Sequence, residues 1–578
     1  MRLESININN FCSCLSVPVD LSDFNPIVGY NNSGKSNILR AINWLLKKSV
    51  LSKHHFYITN DPVTVEGVIS GITASLPLLP ANQQAQVSPY INNDKLIIRR
   101  RQDQPNCSAK DIKLDVFDPA TNAWKANPTG LDNAIGVLFP EPIYIEAMDD
   151  AADDVGKFGA KNTIGLLLKY TLEQIKTHNA AAVTTVQQAI QTVGNLLNGP
   201  NRINQLAALE TQATAALGAF FPGLAVHITI ETPELDELIK GATLDLSDAA
   251  GAQRPFTSYG HGAQRTVQMA MIQLLAQQAV QGQPAPGTVI LLIDEPELYL
   301  HPQAVEILKE SLQVLSRANF QVIFSTHSPL FAGKVEALNT SVVYKNANGE
   351  TAIRQKLATA TTSFSAHPHQ ASMIFSLQNS TFLLFSEKVV LVEGKTEEML
   401  LPDMYKLVRG ISLGRDKICM VSATGSSSIP PLLRLLRAVG FAPKAIVDVD
   451  FLFKHAIPDG LIPQTDPDII ACKAWFIGNS TTVGFVLDPS GLPMKGGALN
   501  AEAAFEAMAG SMTHAIQNLR AKMLPHEIWV WEKGAIEAHL GIQKNDPARI
   551  AFLSTMSTNN NLHHATDATE LQSALNWI

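Results

Sequence analysis

Long apolar runs are absent from this sequence of 578 residues. No uncharged apolar stretch approaches the roughly 20 residues that a membrane-spanning helix requires, and the chain does not open with a basic segment followed by an apolar one, as a secretory signal does. We therefore expect a cytoplasmic protein with no membrane partner. Cysteine is also scarce, and its spacing does not suit zinc, so we expect reduced, structural thiols. The cysteines are Cys12, Cys14, Cys107, Cys419 and Cys472.

An excess of basic residues is absent as well. The 44 Lys and Arg residues are outnumbered by 52 Asp and Glu residues, which gives a formal net charge of −8. Because a phosphate backbone is attracted by basic surface, nucleic-acid binding would need a local basic groove. The candidates for such a groove are Arg99, Arg100, Arg101, Arg434, Arg437, Lys444, Lys522 and Lys533. The length predicts two or three domains.

A glycine-rich stretch near the start is the first sign of specific chemistry. Residues 29–36 read GYNNSGKS, a full match to the phosphate-binding pattern GxxxxGK[ST], between an apolar strand-like segment and a helix-like one. In this Walker A loop, backbone N–H groups can face phosphates and the helix N-terminus adds positive potential. We expect Asn32, Gly34, Lys35 and Ser36 to bind ATP. Lys35 is predicted to reach the β- and γ-phosphates, and Ser36 to bind Mg²⁺.

A second part of the nucleotide site follows far downstream. Val289–Ile293 is an unbroken apolar run that predicts a buried parallel strand, and it ends at Asp294 and Glu295. Asp294 is predicted to hold the Mg²⁺ that accompanies ATP. Glu295 is predicted to orient or deprotonate the attacking water, because phosphoryl transfer depends mostly on positioning and charge stabilisation.

Two further segments resemble parts of ABC ATPases. Residues 258–265, SYGHGAQR, resemble the signature loop, and residues 325–329, STHSP, resemble the H-loop. Together with DEPELYLHP from Asp294 onward, they resemble the SMC/RecF branch of these enzymes rather than transporters. The resemblance adds Gly260, Gly262, Gln264 and His327 to the predicted ATP-binding residues. In that branch a second signature loop completes the ATP site across an interface, which implies a homodimer or a higher homo-oligomer.

The last third of the chain carries carboxylates at predicted strand ends. Glu393 follows an apolar strand-like segment, and Glu397 falls in the first turn of the next predicted helix. A second apolar segment delivers Asp448 and Asp450, whose side chains share one face of an extended chain. Clustered carboxylates repel one another, so the cluster implies Mg²⁺ or Mn²⁺ as the counter-ion. The arrangement resembles a Toprim domain.

A third strand, turn and helix pattern over Ile528–Leu540 resembles the closing element of Toprim nucleases. The resemblance gives Lys533 the role of stabilising the phosphate or the leaving oxygen, and gives Glu537 or Glu532 that of completing a second metal site. The predicted catalytic residues are Glu393, Asp448, Asp450 and Lys533, with Glu295 for ATP. The predicted metal ligands are Glu393, Glu397, Asp448, Asp450, Glu537, Ser36 and Asp294.

An ATPase of this kind followed by a Toprim domain resembles the OLD (overcoming lysogenization defect) family of nucleases, which includes the Gabija effector and retron-associated OLD effectors. The resemblance spans nearly the whole chain. It implies ATP-regulated, metal-dependent cleavage or nicking of DNA, often in defence against phage. The implied cofactors are ATP with one Mg²⁺ ion, and a pair of Mg²⁺ or Mn²⁺ ions in the Toprim site. A helicase, or a retron reverse transcriptase with its small nucleic acid, is an open possibility as a partner.

Segment composition and motif order predict the domain organisation of an α/β protein. We expect an ABC-type, SMC/RecF-like ATPase at 1–155 and 226–358, split by a helical insertion at 156–225. A linker at 359–380 and a Toprim α/β domain at 381–578 follow. The insertion has apolar residues near helical spacing, and this stripe either mediates dimerisation or packs back on the ATPase.

Two other functions fit parts of the pattern. An SMC/RecF-like DNA-binding repair ATPase could carry a Toprim domain that binds without cutting, and Lys35 but not Asp448 would then be required for function. A topoisomerase or primase also uses Toprim carboxylates. The sequence, however, shows neither a breakage domain with its tyrosine nor an evident nucleotidyl-transfer environment.

Overall fold

Two units make up the computed structural model of this chain. The first comprises Met1–Asn25 and Ser36–Phe331, and the second comprises Pro26–Lys35 and Ala332–Ile578. The structure describes residues 1–126, 128–139, 142–147, 180–199, 202–218, 220–232, 245–247, 251–281, 288–318, 320–333, 336–362, 383–423 and 425–578. The start of the predicted insertion, 156–179, and most of the predicted linker, 363–380, lie outside the described residues. The predicted domain boundaries stay predictions.

An antiparallel sheet begins the first unit. Its strands are β1 (Arg2–Phe11), β2 (Cys14–Asp20), β4 (Val63–Ser70), β5 (Lys95–Gln102), β6 (Lys113–Asp118) and β7 (Ala123–Lys125). They lie in the order β2-β1-β4-β5-β6-β7. Along β4, buried residues alternate with half-buried ones, as expected for a strand with one face on the core.

Parallel strands follow in the same unit. They are β8 (Ile143–Ile145), β11 (Val289–Asp294) and β12 (Phe320–Thr326), and β11 lies between the other two. Every residue of β11 is buried, which explains its unbroken apolar sequence and confirms the strand predicted before Asp294. A short antiparallel pair, β9 (Asp245–Ser247) and β10 (Gln253–Pro255), lies earlier in the chain.

Helices also occur in this part of the chain, among them the one predicted after the Walker A loop. They are α1 (Lys35–Leu46), α2 (Ala81–Val87), α3 (Leu131–Leu138), α4 (Ala180–Asn198), α5 (Asn204–Gly218), α6 (His261–Gln281) and α7 (Pro302–Arg317). The insertion is helical where it is described, in α4 and α5. Val186, Val193 and Leu196 of its apolar stripe are exposed in this chain. None of the helices that the structure describes combines the length and the apolar character needed to cross a membrane.

The second unit holds the Walker A loop together with the C-terminal part of the chain. Strand β3 (Phe24–Val28) leads into that loop, and β13 (Ser341–Lys345) pairs with it in parallel through Val28 and Val342. Strand β14 (Thr351–Ile353) then pairs with β13 in the antiparallel direction.

A parallel four-stranded sheet forms the centre of the rest of this unit. Its strands are β15 (Lys388–Val392), β16 (Ile418–Ser422), β17 (Pro443–Val447) and β20 (Ile528–Val530), in the order β16-β15-β17-β20. Val389 and Leu391 belong to one hydrophobic cluster, and Val390 and Val392 belong to another. Because successive side chains of a strand point to opposite faces, both faces of the sheet are covered.

Helices cover this sheet, and a short hairpin interrupts them. The hairpin consists of β18 (Val486–Leu487) and β19 (Pro493–Met494). The helices are α8 (Leu357–Thr362), α9 (Lys395–Arg409), α10 (Ile429–Val439), α11 (Pro467–Val483), α12 (Ala501–Ser511), α13 (Thr513–Met523), α14 (Ile536–Leu540), α15 (Asp546–Asn559) and α16 (Ala568–Trp577). Alternating strands and helices make the strands parallel, so their carboxyl ends share one edge of the sheet.

Candidate active site

The carboxyl edge of the four-stranded sheet brings the predicted acids together. Glu393 follows β15 and Asp448 follows β17, and these two strands are neighbours with Val392 opposite Ile446. Asp450 lies in the turn directly after Asp448. In open α/β sheets, ligands bind at the carboxyl ends of the strands. The structure therefore places these three acids where a bound ligand is expected.

A cavity of about 410 Å³ lies at this edge and is lined by Glu393, Asp448 and Asp450. The Glu393 carboxylate accepts a hydrogen bond from the backbone N–H of Asp448 at 3.0 Å, which joins the ends of the two strands. The Oδ1 atoms of Asp448 and Asp450 are buried without a hydrogen-bond partner among the described residues. A buried carboxylate oxygen with no donor is costly. Both atoms therefore require a cation or a donor from a ligand.

Burial and mutual repulsion oppose the ionisation of these acids. Burial, together with the charge of Asp450, raises the pKa of Glu393 well above its usual range. Burial and the charge of Glu393 raise the pKa of Asp448 in the same way. Glu397, in the first turn of α9, is also buried, and burial with the charge of Glu537 raises its pKa to about 7. When burial and repulsion oppose the ionisation of a carboxyl group, a bound cation stabilises its charged form.

The acids fit a divalent cation chemically. Mg²⁺ and Mn²⁺ prefer carboxylate oxygens, and the two Oδ1 atoms without partners supply them. Within the described ranges, no three His, Cys, Asp or Glu side chains converge closely enough to hold an ion as they stand. Ammonium groups lie close to acids that line the cavity: Lys544 Nζ is 4.0 Å from Asp448 and 2.7 Å from Glu502, and Lys454 Nζ is 2.8 Å from Asp450. Ion binding would therefore require these side chains to turn.

Glu537 belongs to a buried network beside the cavity. Its Oε1 accepts a hydrogen bond from the Thr396 hydroxyl, which itself accepts one from Arg549 Nε at 2.7 Å. Arg549 Nη2 lies 3.7 Å from the same Glu537 oxygen. Neither Glu537 nor Glu397 is among the residues that line the cavity. The network provides positive charge next to Glu537 and joins α9, α14 and α15.

Lys533 and Glu532 follow β20, as predicted, but their side chains are engaged outside the cavity lining. Lys533 Nζ pairs with Asp567 at 2.8 Å. Glu532 Oε1 lies 2.5 Å from Arg520 Nη1. His539 also contacts Asp567, and burial lowers the pKa of this histidine to about 4. A role for Lys533 at the reacting phosphate stays a prediction.

Sequence reasoning did not select the lysines that line the cavity, which are Lys454, Lys495 and Lys544. Burial opposes the charge of Lys544, but its hydrogen bond to Glu502 and the charge of Asp448 raise its pKa above the ordinary value. Only Lys454 carries a local signal, because it lies four residues after Asp450 and forms an i,i+4 ion pair with it. Lys495 and Lys544 lie in loops remote in sequence from the acids.

The Walker A loop has the shape of a phosphate cradle. Asn32 and Gly34 have positive φ angles of 65° and 112°, and a Cβ at Gly34 would meet Thr351 Oγ1 at 2.1 Å, so a side chain at that position would be strained. Lys35 Nζ donates to the carbonyl oxygens of Gly29 and Tyr30 at 3.0 and 3.2 Å. The lysine therefore lies inside the loop. Ser36 follows as the second residue of α1.

The acids at the end of the first unit's β11 are also grouped. Asp294 accepts a hydrogen bond from Ser325, and His327 Nε2 lies 3.4 Å from Glu295 Oε1. Buried Arg265 donates to the backbone oxygens of Asp294 and Glu295 at 2.9 and 3.2 Å. Arg265 is a positioning residue to which sequence reasoning gave no role, although it ends the signature-like segment.

The signature-like segment begins α6. Gly260 directly precedes this helix and Gly262 lies in its first turn. Gln264 donates a hydrogen bond to the carbonyl oxygen of Tyr259 at 2.8 Å. In this chain the Gln264 side chain therefore stabilises the start of its own helix.

The basic residues predicted to form a nucleic-acid groove are engaged with protein groups. Their acidic partners are Asp115 for Arg99, Asp132 for Arg100, Asp103 for Arg101, Asp459 for Arg434, Glu527 for Lys444, Asp466 for Lys522 and Asp567 for Lys533. Arg437 donates to the backbone oxygen of His526. Each contact offsets part of the positive potential that a phosphate backbone would meet.

Two family models match the chain. Residues 1–154 and 160–332 match an AAA ATPase domain. Residues 384–450 match the Toprim domain of proteins like the overcoming lysogenization defect protein. The predicted α/β fold, an ATPase followed by a Toprim domain, is confirmed.

Three curated relatives match this chain over most of their length. The Old nuclease of Escherichia phage P2 is 40% identical over 463 residues, which cover 78% of this chain and 78% of that protein. Endonuclease GajA of Bacillus cereus (strain VD045) is 21% identical and covers 69% of this chain and 67% of its own length. The OLD nuclease of Thermus scotoductus (strain ATCC 700910 / SA-01) is 22% identical, with 78% and 81% covered.

Proposed function

The chain belongs to the OLD family of ATP-dependent nucleases, and from this premise we propose that it cuts or nicks DNA at the Toprim cavity under the control of ATP. That it is a nuclease with an ATPase and a Toprim domain follows from the family. The observation that carries the proposed site is the pair of buried Oδ1 atoms without partners, on Asp448 and Asp450, beside Glu393.

The carboxylates account for the metal dependence. Divalent ions held by Glu393, Asp448 and Asp450 would polarise a phosphodiester and lower the pKa of a bound water. The backbone bond from Asp448 to Glu393 keeps the two strand ends at a fixed separation. Glu397 and Glu537 add negative charge nearby, and Arg549 balances part of it. We propose a pair of Mg²⁺ or Mn²⁺ ions here, with Lys533 as a further cation.

The nucleotide site would use a separate Mg²⁺ ion. Lys35 is the proposed phosphate ligand, with Asn32 and Gly34 shaping the loop. Ser36 and Asp294 are the proposed ligands of that ion, and Glu295 is the proposed base for hydrolysis. His327, Gly260, Gly262 and Gln264 complete the proposed ATP-binding set.

A chain of contacts within the second unit supports control of the Toprim site by the nucleotide. The Tyr30 ring of the Walker A loop lies 3.8 Å from Lys417 Nζ. Lys417 pairs with Glu387 at 2.6 Å, and its backbone oxygen accepts a hydrogen bond from Lys388, the first residue of β15. Strand β15 ends at Val392, directly before Glu393. A change in the Walker A loop can therefore reach a catalytic acid through one strand.

Arg354 provides a second link between this part of the unit and the Toprim sheet. Arg354, after β14, donates a hydrogen bond to the backbone oxygen of Gly440 and lies 4.0 Å from the ring of Phe441. Gly440 directly follows α10, and Phe441 lies shortly before β17, which ends directly before Asp448. Thr351 of β14 donates a hydrogen bond to the backbone oxygen of Ser33 in the Walker A loop at 2.9 Å, so both acid-bearing strands are linked to that loop. Allosteric control needs such differential contacts.

The proposal includes a biological setting and partners. We propose that the protein acts in the cytoplasm as an anti-phage effector on DNA. We further propose a homodimer or a higher homo-oligomer, because the family's signature loop completes an ATP site across an interface. The candidate partners are a helicase and a retron reverse transcriptase with its small nucleic acid.

Cleavage of supercoiled plasmid in Mg²⁺ or Mn²⁺, with and without ATP, tests this function. Wild type should nick the plasmid, and Asp448→Asn should abolish nicking because a ligand oxygen is lost. Asp403→Asn removes an exposed carboxylate of α9 as a matched control and should behave like wild type. A DNA-binding repair ATPase with a non-cutting Toprim domain would instead show no nicking, with DNA binding that depends on Lys35 alone.

A further inference from the structure

The lysines that line the carboxylate cavity are not equivalent. Lys454 pairs with Asp450 at 2.8 Å, and Lys544 pairs with Glu502 at 2.7 Å. Lys495 also lines the cavity and is exposed. In the part of the chain that the structure describes, its ammonium group makes neither an ion pair nor a hydrogen bond.

The backbone around Lys495 is anchored on both sides. Before it, the hairpin turn is fixed by Asp488 Oδ1, which accepts a hydrogen bond from the backbone N–H of Leu492 at 3.0 Å. After it, the backbone N–H of Leu499 donates to the Gly484 oxygen at 2.9 Å. Helix α12, which carries Glu502, begins immediately afterwards. A cation on an anchored loop loses little backbone entropy when it binds a ligand.

The cavity needs such a cation because its other charged groups are mostly acidic. A DNA strand that enters it meets the carboxylates of Glu393, Asp448, Asp450 and Glu502. Metal ions at the strand ends would bind the phosphate that is cut. The neighbouring phosphates are also negatively charged, and their binding is favoured by a nearby cation. Two of the lining lysines are already paired with carboxylates. Lys495 can contact a phosphate without breaking an ion pair.

We propose that Lys495 binds a phosphate of the DNA backbone next to the one that is cut. The inference rests on the proposed nuclease function and adds a substrate-binding residue to it. A lysine contact to phosphate supplies affinity and position but does not read sequence. Lys495 should therefore strengthen binding to any duplex that reaches the cavity.

Fluorescence anisotropy with a labelled duplex in Ca²⁺ measures this contact directly. Lys495→Ala should raise Kd about three- to fivefold, as expected for one exposed charge contact. It should also reduce the slope of log Kd against log salt by about 0.9, the value for one phosphate. Lys495→Arg should restore both. Lys388→Ala is the matched control, because Lys388 is an exposed lysine at the opposite end of β15 from Glu393.

The outcomes separate the inference from the function on which it rests. Equal Kd values and salt slopes for Lys495→Ala and Lys388→Ala would overturn the role of Lys495, while plasmid nicking by wild type would keep the nuclease function. A wild-type protein that neither binds the duplex nor nicks plasmid would overturn both. A larger loss for Lys495→Glu than for Lys495→Ala would support a phosphate contact.

Discussion

Replacing Lys417 by methionine tests the contact between the Walker A loop and the Toprim sheet. The change keeps the apolar stem but removes the ammonium that lies 3.8 Å from the Tyr30 ring and 2.6 Å from Glu387. A cation–π contact at an exposed site contributes about 0.5–1 kcal/mol, and an exposed ion pair contributes about 0.2–1 kcal/mol. Because 45% of the Lys417 side chain is exposed, values in the lower half of each range apply. Their sum is about 1 kcal/mol.

That free energy limits how much of the ATP response can pass through this residue. A nucleotide shifts the nuclease only through contacts that differ between two states. About 1 kcal/mol corresponds to about a fivefold change in an equilibrium constant. Lys417→Met should therefore move the ratio of nicking rates with and without ATP towards one, by up to about fivefold.

The assay is plasmid nicking in Mg²⁺ with and without a non-hydrolysable ATP analogue, together with a separate measurement of nucleotide affinity. Lys406→Met removes an exposed lysine of α9 and should leave the ratio at the wild-type value. A ratio in Lys417→Met equal to that of wild type, with unchanged nucleotide affinity, would refute the proposed path.

Stability, pH dependence and nucleotide binding give further predictions. Arg520 lies 2.5 and 2.6 Å from Glu532 and Glu570. Arg520→Leu leaves these two carboxylates without their shared cation and should lower the free energy of unfolding in urea by about 3 kcal/mol. An unchanged free energy of unfolding would contradict this prediction. The pKa of Glu397 rises from 4.5 to about 7 on folding, so the folded state binds the extra proton. In the absence of divalent ions, the free energy of unfolding should fall as the pH rises from 4.5 to about 7. Glu397→Gln should remove this decrease from a plot of Tm against pH. Lys35→Ala should abolish ATP binding in calorimetry but leave Toprim metal binding intact.

The strand-end acids could be predicted because local rules determine them. An apolar run that ends in an acid predicts a buried parallel strand, and parallel strands present their carboxyl ends at one edge. Glu393 and Asp448 obey both rules and lie in the cavity. The Walker A loop was predictable for a similar reason, since its glycines and Lys35 act within a few residues.

The cations of the site could not be predicted, because their positions depend on how distant loops pack. Lys544 reaches Glu502 and Asp448 from the loop after α14. Lys533 lies in the predicted turn, but the start of α16 supplies its partner, Asp567. Arg549 of α15 likewise meets Glu537 of α14 only in the folded chain, where α15 packs on α9. No periodicity in the sequence encodes these contacts.

The predicted basic groove shows that the sequence does not reveal which charges are already paired. A triplet such as Arg99, Arg100 and Arg101 indicates positive charge but not whether that charge is available. In the structure Arg100 is buried and Arg99 pairs with Asp115. Availability depends on cross-strand neighbours, and composition alone does not reveal them.

Titration of the protein with Mn²⁺ in the absence of nucleotide tests the central claim most directly, because the account requires the cavity carboxylates to bind metal. Wild type should bind about two ions per chain. Asp448→Asn should lose at least one of them, whereas the control Asp403→Asn should keep both. Equal stoichiometry and affinity in wild type and Asp448→Asn would contradict the account, because the acids at the sheet edge would then not be the metal site.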